Sequence, residues 1–248
     1  MSRKRAWPVL AEPFATALHD AMGFIFDEVE PVGVVATGTI IRGTAHANSD
    51  LDLYVVHDEP YRRRMQRFFN GVPAEIFVNP PGAIRRYFAE EHRDGRRITA
   101  HMLATGAVVF QDGPIVEQLR KEAREWLARP ADMSDFERTS TRYGIATRLE
   151  DALDVIDSDE TTANLLLGAA VLAMLEYWCR SRDGRIPRSK ELIATVRAMD
   201  SEIARLADAF SRAATLPERR DLAIALADRT IGARGFFEWD SGPGPAPG

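Results

Sequence analysis

Asp50 and Asp52 stand one residue apart at the head of an apolar run, Leu51, Leu53, Tyr54, Val55 and Val56. In an extended strand, residues two apart face the same way, so both carboxylates project together while Leu51, Leu53 and Val55 anchor the opposite face. Carboxylates this close repel each other and push one pKa upward unless a cation lies between them. Hard divalent ions such as Mg²⁺ take oxygen ligands and leave positions open for water and phosphate oxygens. A second apolar run, Ala74-Glu75-Ile76-Phe77-Val78, carries one acid where strand interiors are depleted in charge. If the two strands are neighbours, Glu75 completes a three-carboxylate site. Two ions held by such a site are suited to in-line attack on a nucleotide α-phosphate. A solvated strand end explains an isolated Asp-x-Asp, and an edge-strand charge explains Glu75 alone. The conjunction of all three acids points to metal.

Upstream lies Gly38-Thr39-Ile40-Ile41-Arg42-Gly43, a glycine-framed turn after a short β-branched run. Glycine lets the backbone approach an anion closely, and unpaired N–H groups at such a turn can hold phosphate. The two-glycine spacing matches the start of a P-loop. The next residues, Thr44-Ala45, are not the Lys-Ser/Thr pair that a P-loop requires, so that reading fails.

The elements that must position these residues follow from periodicity. Residues 8–22 read as an amphipathic helix, then 32–36, 51–56 and 74–78 as strands, with 61–69 as a helix closed by Asn70-Gly71. Residues 83–92 continue as a helix after Pro80-Pro81-Gly82, and 106–110 form a last strand before Asp112-Gly113-Pro114. From there the pattern is helical throughout: 115–128, 136–156, 161–182, 190–199, 201–213 and 222–231, with Ser158 or Asp159 placed to cap the third of these. The expected architecture is a small α/β domain over residues 1–113, a helical domain over 114–240, and a disordered Gly/Pro tail over 241–248.

Gly38-Thr39-x-x-Arg42-Gly43, followed after five residues by Ser49-Asp50-Leu51-Asp52-Leu53, resembles the signature of the DNA polymerase beta-like nucleotidyltransferase superfamily. That signature is Gly-Ser, a short gap, Gly, then Asp-x-Asp on a strand and a third acid on a later strand. The resemblance is specific over about residues 32–78. Beyond them, an α/β domain followed by helices looks like the aminoglycoside-type nucleotidyltransferases. Thr39 stands where the family has Ser and keeps the hydroxyl.

The resemblance implies an α+β fold with a mixed sheet and a C-terminal helical bundle. It implies that Gly38 and Thr39 hold the β/γ-phosphates of a nucleoside triphosphate, with Arg42 and Ser49 also on the nucleotide side. Asp50, Asp52 and Glu75 would hold two Mg²⁺ ions. Lys190, which opens a helix after Pro187-Arg188-Ser189, would reach the triphosphate. The reaction implied moves a nucleoside monophosphate, expected to be AMP from ATP, onto a hydroxyl of a small molecule and releases pyrophosphate. A close variant would modify a protein hydroxyl. A reading of a different class is a non-catalytic module that binds nucleotide or a partner protein. Three retained like charges argue against it. Glu150, Asp151 and Asp154 offer carboxylates in the helical half, and a solvated helix face accounts for them equally.

Bulk properties narrow the field. The net charge of −5 argues against an unselective nucleic-acid binder, including a tRNA end-adding enzyme. Yet between residues 61 and 97 nine arginines face four acids, a local balance that suits a small anionic ligand or a solvated helix face. The one cysteine, Cys179, lies in an apolar helical run and excludes an internal disulfide framework. The apolar run 165–175 is short of a bilayer span and the N-terminal residues lack a cleavage site, so the expected setting is cytoplasmic, with no membrane association. No histidine follows His101, which excludes a ribonuclease built on Arg and His in the helical half.

Overall fold

The computed structural model describes residues 4–130 and 133–243. The chain divides into two compact units, Met1–Arg129 and Pro130–Gly248. The first is built on six strands: β1 (Lys4–Arg5), β2 (Gly33–Thr37), β3 (Leu51–Val56), β4 (Arg63–Phe69), β5 (Val72–Asn79) and β6 (Ala107–Gln111). Their order is β1-β6-β2-β3-β5-β4. β3 and β5 run parallel, and the other pairs are antiparallel, so the sheet is mixed and the fold is α+β.

Strand alternation decides which helices cover which face. Leu51, Leu53, Val55, Ala74, Ile76 and Val78 point to one side and bury against Ala17, Leu18, Ala21, Met22 and Ile25 of α1 (Phe14–Glu28). Tyr54 and Val56 point to the other side, where α3 (Pro81–Arg93), α4 (Ile98–Thr105) and α5 (Ile115–Ala128) supply Ile84, Phe88, Leu103, Val116 and Leu119. A short helical turn, α2 (Gly38–Ile41), follows β2. Asp52 shares the second face with Tyr54, beyond the end of its apolar layer.

Two expectations need correction. Residues 61–69 form no helix: β4 pairs antiparallel with β5 from Arg63↔Val78 to Phe69↔Val72. The two residues between them, Asn70 at φ 47° and Gly71 at φ 77°, have the left-handed conformations of a type I′ hairpin turn, whose twist matches that of its strands. Met65 is buried between exposed neighbours, the alternation of a strand. The boundary between units also falls after Arg129, not after residue 113. Helix α5 belongs to the first unit because its apolar stripe, Val116, Leu119 and Ala123, completes the core of the sheet's second face. The first helix starts at Phe14 because Pro13 cannot donate the backbone bond that a helix continuing from residue 8 needs there.

The second unit is helical: α6 (Asp135–Asp154), α7 (Glu160–Asp183), a 3₁₀ turn Ser189–Glu191, α8 (Leu192–Met199), α9 (Ser201–Arg212) and α10 (Leu216–Thr230). Four of its five described α-helices, all but α8, start with a side-chain cap. Ser134 and Thr215 form reciprocal capping boxes with Glu137 and Glu218, Asp159 accepts from Thr162 N, and Asp200 accepts from the backbone of Glu202 and Ile203. Helix α7 ends at Gly184, whose φ of 65° is the left-handed stop that glycine adopts at little cost. Although α7 is long and apolar enough to cross a bilayer, half of its most apolar stretch is buried, and Leu167, Ala170, Met174 and Trp178 sit in the helical core. Cys179 is buried there too, and burial pushes its thiol up to about 11. Ser241 to Pro243 carry no regular structure, and the rest of the expected tail lies outside the described residues.

Candidate active site

The site is assembled where β2 ends and β3 begins, beside the first half of β5. β2 stops at Thr37, the register partner of Asp52. The chain then turns sharply through Gly38, at φ +89°. A Cβ here would lie 2.5 Å from Asp52 Oδ2, so both the left-handed backbone and the lack of space demand glycine. The backbone of the turn thus closes directly onto a carboxylate. Gly43, at φ +73°, ends the turn with open space around it.

Ser49 fastens the loop that follows. It is buried, and its Oγ accepts from His46 N and from Thr39 Oγ1, both at 2.9 Å. One hydroxyl therefore fixes the position of Thr39 and delivers the chain to Asp50 at the mouth of β3. Arg42 lies exposed where α2 ends, its backbone N–H bonded to Gly38 O.

Parallel pairing sets Asp52 opposite Glu75. Ligand oxygens of Asp50, Asp52 and Glu75 all lie within 4.8 Å of one another, and each residue is half-buried. This is the one convergent group of three or more acids, histidines or cysteines among the described residues. Opposite ligands of a Mg²⁺ ion with Mg–O bonds of about 2.1 Å stand about 4.2 Å apart. A span of 4.8 Å therefore closes around such an ion with small side-chain movements. The all-oxygen donor set, partial exposure and the absence of a side chain at Gly38 all fit a hard divalent cation.

Two residues at the site were not legible as such in the sequence. Arg64 Nη2 donates to both Glu75 oxygens, at 2.9 and 2.8 Å, and Gln66 Nε2 donates to Oε1. They sit two apart on β4, where a strand reading of residues 61–69 would have aimed them at one face. The same face continues inward through Tyr54, whose hydroxyl accepts from Asn79 Nδ2 at 3.2 Å. Burial raises the Tyr54 pKa above its ordinary value, so its hydroxyl stays protonated. Burial also raises the pKa of Glu91, against two 2.7 Å bonds from Thr99 that favour its charged form. Lys190 lies in the second unit, exposed on the 3₁₀ turn beside the Arg188–Glu191 ion pair. Asp151 and Asp154 are exposed on α6, as a solvated helix face requires.

Residues 20–104 match the nucleotidyltransferase domain family, a stretch that contains Gly38, Thr39, Ser49, Asp50, Asp52 and Glu75. No curated protein matches the sequence. Among solved structures, a nucleotidyltransferase-like protein from Exiguobacterium sibiricum aligns with a TM-score of 0.52 at 14% identity, over 87% of this chain and 73% of its own. That likeness is one of fold.

Proposed function

We propose that this chain, whose residues 20–104 match the nucleotidyltransferase domain family, transfers AMP from ATP to a hydroxyl of a small molecule. The observation that carries this reading is the convergence of Asp50, Asp52 and Glu75 beneath the backbone of Gly38.

In this account the three carboxylates hold two Mg²⁺ ions. When bound, the ions supply positive charge that lowers the cost of forming the attacking oxyanion and of charge building on the departing phosphate. The chain's own residues do the positioning. Gly38 gives the triphosphate access to backbone N–H groups, because any side chain there would collide with Asp52. Thr39, held by Ser49, presents its hydroxyl oxygen on the same turn. Arg42, exposed where the turn ends, offers charge to the phosphates. The acceptor oxygen attacks the α-phosphorus, the bond from that phosphorus to the bridging oxygen breaks, and pyrophosphate leaves in line. The hydroxyl proton passes to a base or to water. With its single cysteine reduced and buried, the chain suits the cytoplasm, where ATP is abundant.

The reading is tested by calorimetric titration of the protein with ATP, GTP, CTP and UTP, with and without Mg²⁺, followed by a screen of hydroxyl compounds with α-labelled ATP. Mg²⁺-dependent binding with ATP preferred, and label moved to a small molecule, is the expected result. Label on protein alone would reassign the acceptor, and no nucleotide binding would sink the enzymatic reading.

A further inference from the structure

Glu75 is gripped from the outer edge of the sheet. Arg64 Nη2 bridges both of its carboxylate oxygens, and Gln66 Nε2 reaches Oε1. The Arg64 guanidinium lies over the ring of Phe77, its register partner on β5, with Cζ 4.9 Å from the ring centroid. That stacking fixes the cation in the plane above β5 and beside the acids. Arg64 is 61% exposed and Glu75 only 22%, so the positive charge covers Glu75 on its solvent side. A surface ion pair of this kind contributes little stability by itself. Its position against a triad of like charges gives it another consequence.

Resting on the metal-site reading above, we propose that Arg64 is a positioning residue that acts as the built-in counter-cation of Glu75 and thereby sets the affinity of the Asp50–Asp52–Glu75 site for divalent ions. Two effects oppose each other. By orienting Glu75, Arg64 favours ion binding. By placing a positive charge beside the ion, it disfavours it. Orientation is largely secured without Arg64, because Glu75 is fixed by strand pairing to Asp52 and held by Gln66. The charge effect therefore wins. Charges of +1 and +2 about 6 Å apart, in water with ~0.1 M salt, interact strongly enough to change ion affinity about three- to tenfold. Arg64 thus offsets the repulsion on Glu75 while the site awaits its substrate, and it makes ion capture by the carboxylates weaker than it would be without the cation.

The test is Mn²⁺ binding to the full chain without nucleotide, followed by the electron paramagnetic resonance of free Mn²⁺, in wild type, Arg64→Gln, Arg64→Met and Arg64→Lys. Met retains an apolar stem over Phe77 and guards against an effect of lost packing. The expected result is a dissociation constant about three- to tenfold lower in Arg64→Gln and Arg64→Met at ~0.1 M salt. That gap should shrink at ~1 M, where screening is nearly complete. Arg64→Lys, which keeps the charge, should stay within about twofold of wild type. Unchanged or weaker Mn²⁺ binding in both neutral variants overturns the inference and leaves the metal site standing. If wild type and Glu75→Gln alike bind no Mn²⁺, the metal site itself falls, and the role of Arg64 with it.

Discussion

Both units pair acids with bases on their helices, but among the described residues only the sheet unit also gathers like charges at one place. In the helical unit, acids and bases pair off within and around the helices: Arg205 with Glu202 and Arg188 with Glu191 three residues apart, Arg197 with Asp208 between two helices, and Arg234 with Asp228 past a helix end. Its remaining acids include helix caps such as Asp159 and Asp200. In the sheet unit, three acids on β5 and at the start of β3 meet within 4.8 Å, with a third element, the turn at Gly38, pressed against Asp52. The cause is geometric. A helix spreads neighbouring side chains around its axis, so charges three or four apart form pairs. A sheet sets residues of adjacent strands side by side about 5 Å apart, which lets like charges from distant parts of the sequence converge. Charge density alone marks nothing. Convergence of like charge at a strand end does.

If that contrast is sound, substitutions in the two units should separate cleanly. The largest effect is expected from Asp50→Asn or Asp52→Asn, which should reduce Mg²⁺-dependent pyrophosphate release by about a hundredfold or more while leaving the thermal midpoint unchanged or raised, because a repulsion has been removed. Leu167→Ala, in the core of the helical unit, should cost about 2–5 kcal/mol in urea unfolding yet leave Mn²⁺ affinity as it was. A loss of ion affinity there would break the contrast. Gly38→Ala and Gly43→Ala should each lose about 1–2 kcal/mol by forcing a side-chain residue into the left-handed region. Only the first should also weaken Mn²⁺ binding, because only at Gly38 would the new Cβ strike Asp52. Among the caps, Asp200→Ala should lower stability by about 1 kcal/mol. At the exposed Arg197–Asp208 pair, Arg197→Ala should change it by no more than about 0.5 kcal/mol.

The site was more legible in the sequence than the frame that builds its outer wall. Asp50 and Asp52 declare their common face because a strand has a period of two, and Glu75 stands out as the lone acid in an apolar run. The capped helices of the second unit are also readable, and 115–128 matches α5 to the residue. Strand β4 escaped because Arg, Met and Gln are good helix formers, so its composition speaks for a helix while its alternation and the Asn70-Gly71 turn speak for a hairpin. Pairing with β5 outweighed propensity. Arg64 and Gln66 were lost with it, since their reach to Glu75 depends on cross-strand register and on nothing local. The boundary at residue 113 failed for a related reason. Asp112-Gly113-Pro114 does mark a turn, but the helix after it folds back onto the sheet, and only tertiary packing reveals that.

The central claim is that Asp50, Asp52 and Glu75 form one divalent-ion site completed by a triphosphate. It is tested most directly by counting Mn²⁺ ions bound per chain in the presence of a non-hydrolysable ATP analogue, for wild type and Asp52→Asn. The account predicts two ions on wild type and a loss of saturable binding on the variant. No saturable Mn²⁺ on wild type, or equal binding by both proteins, would contradict it.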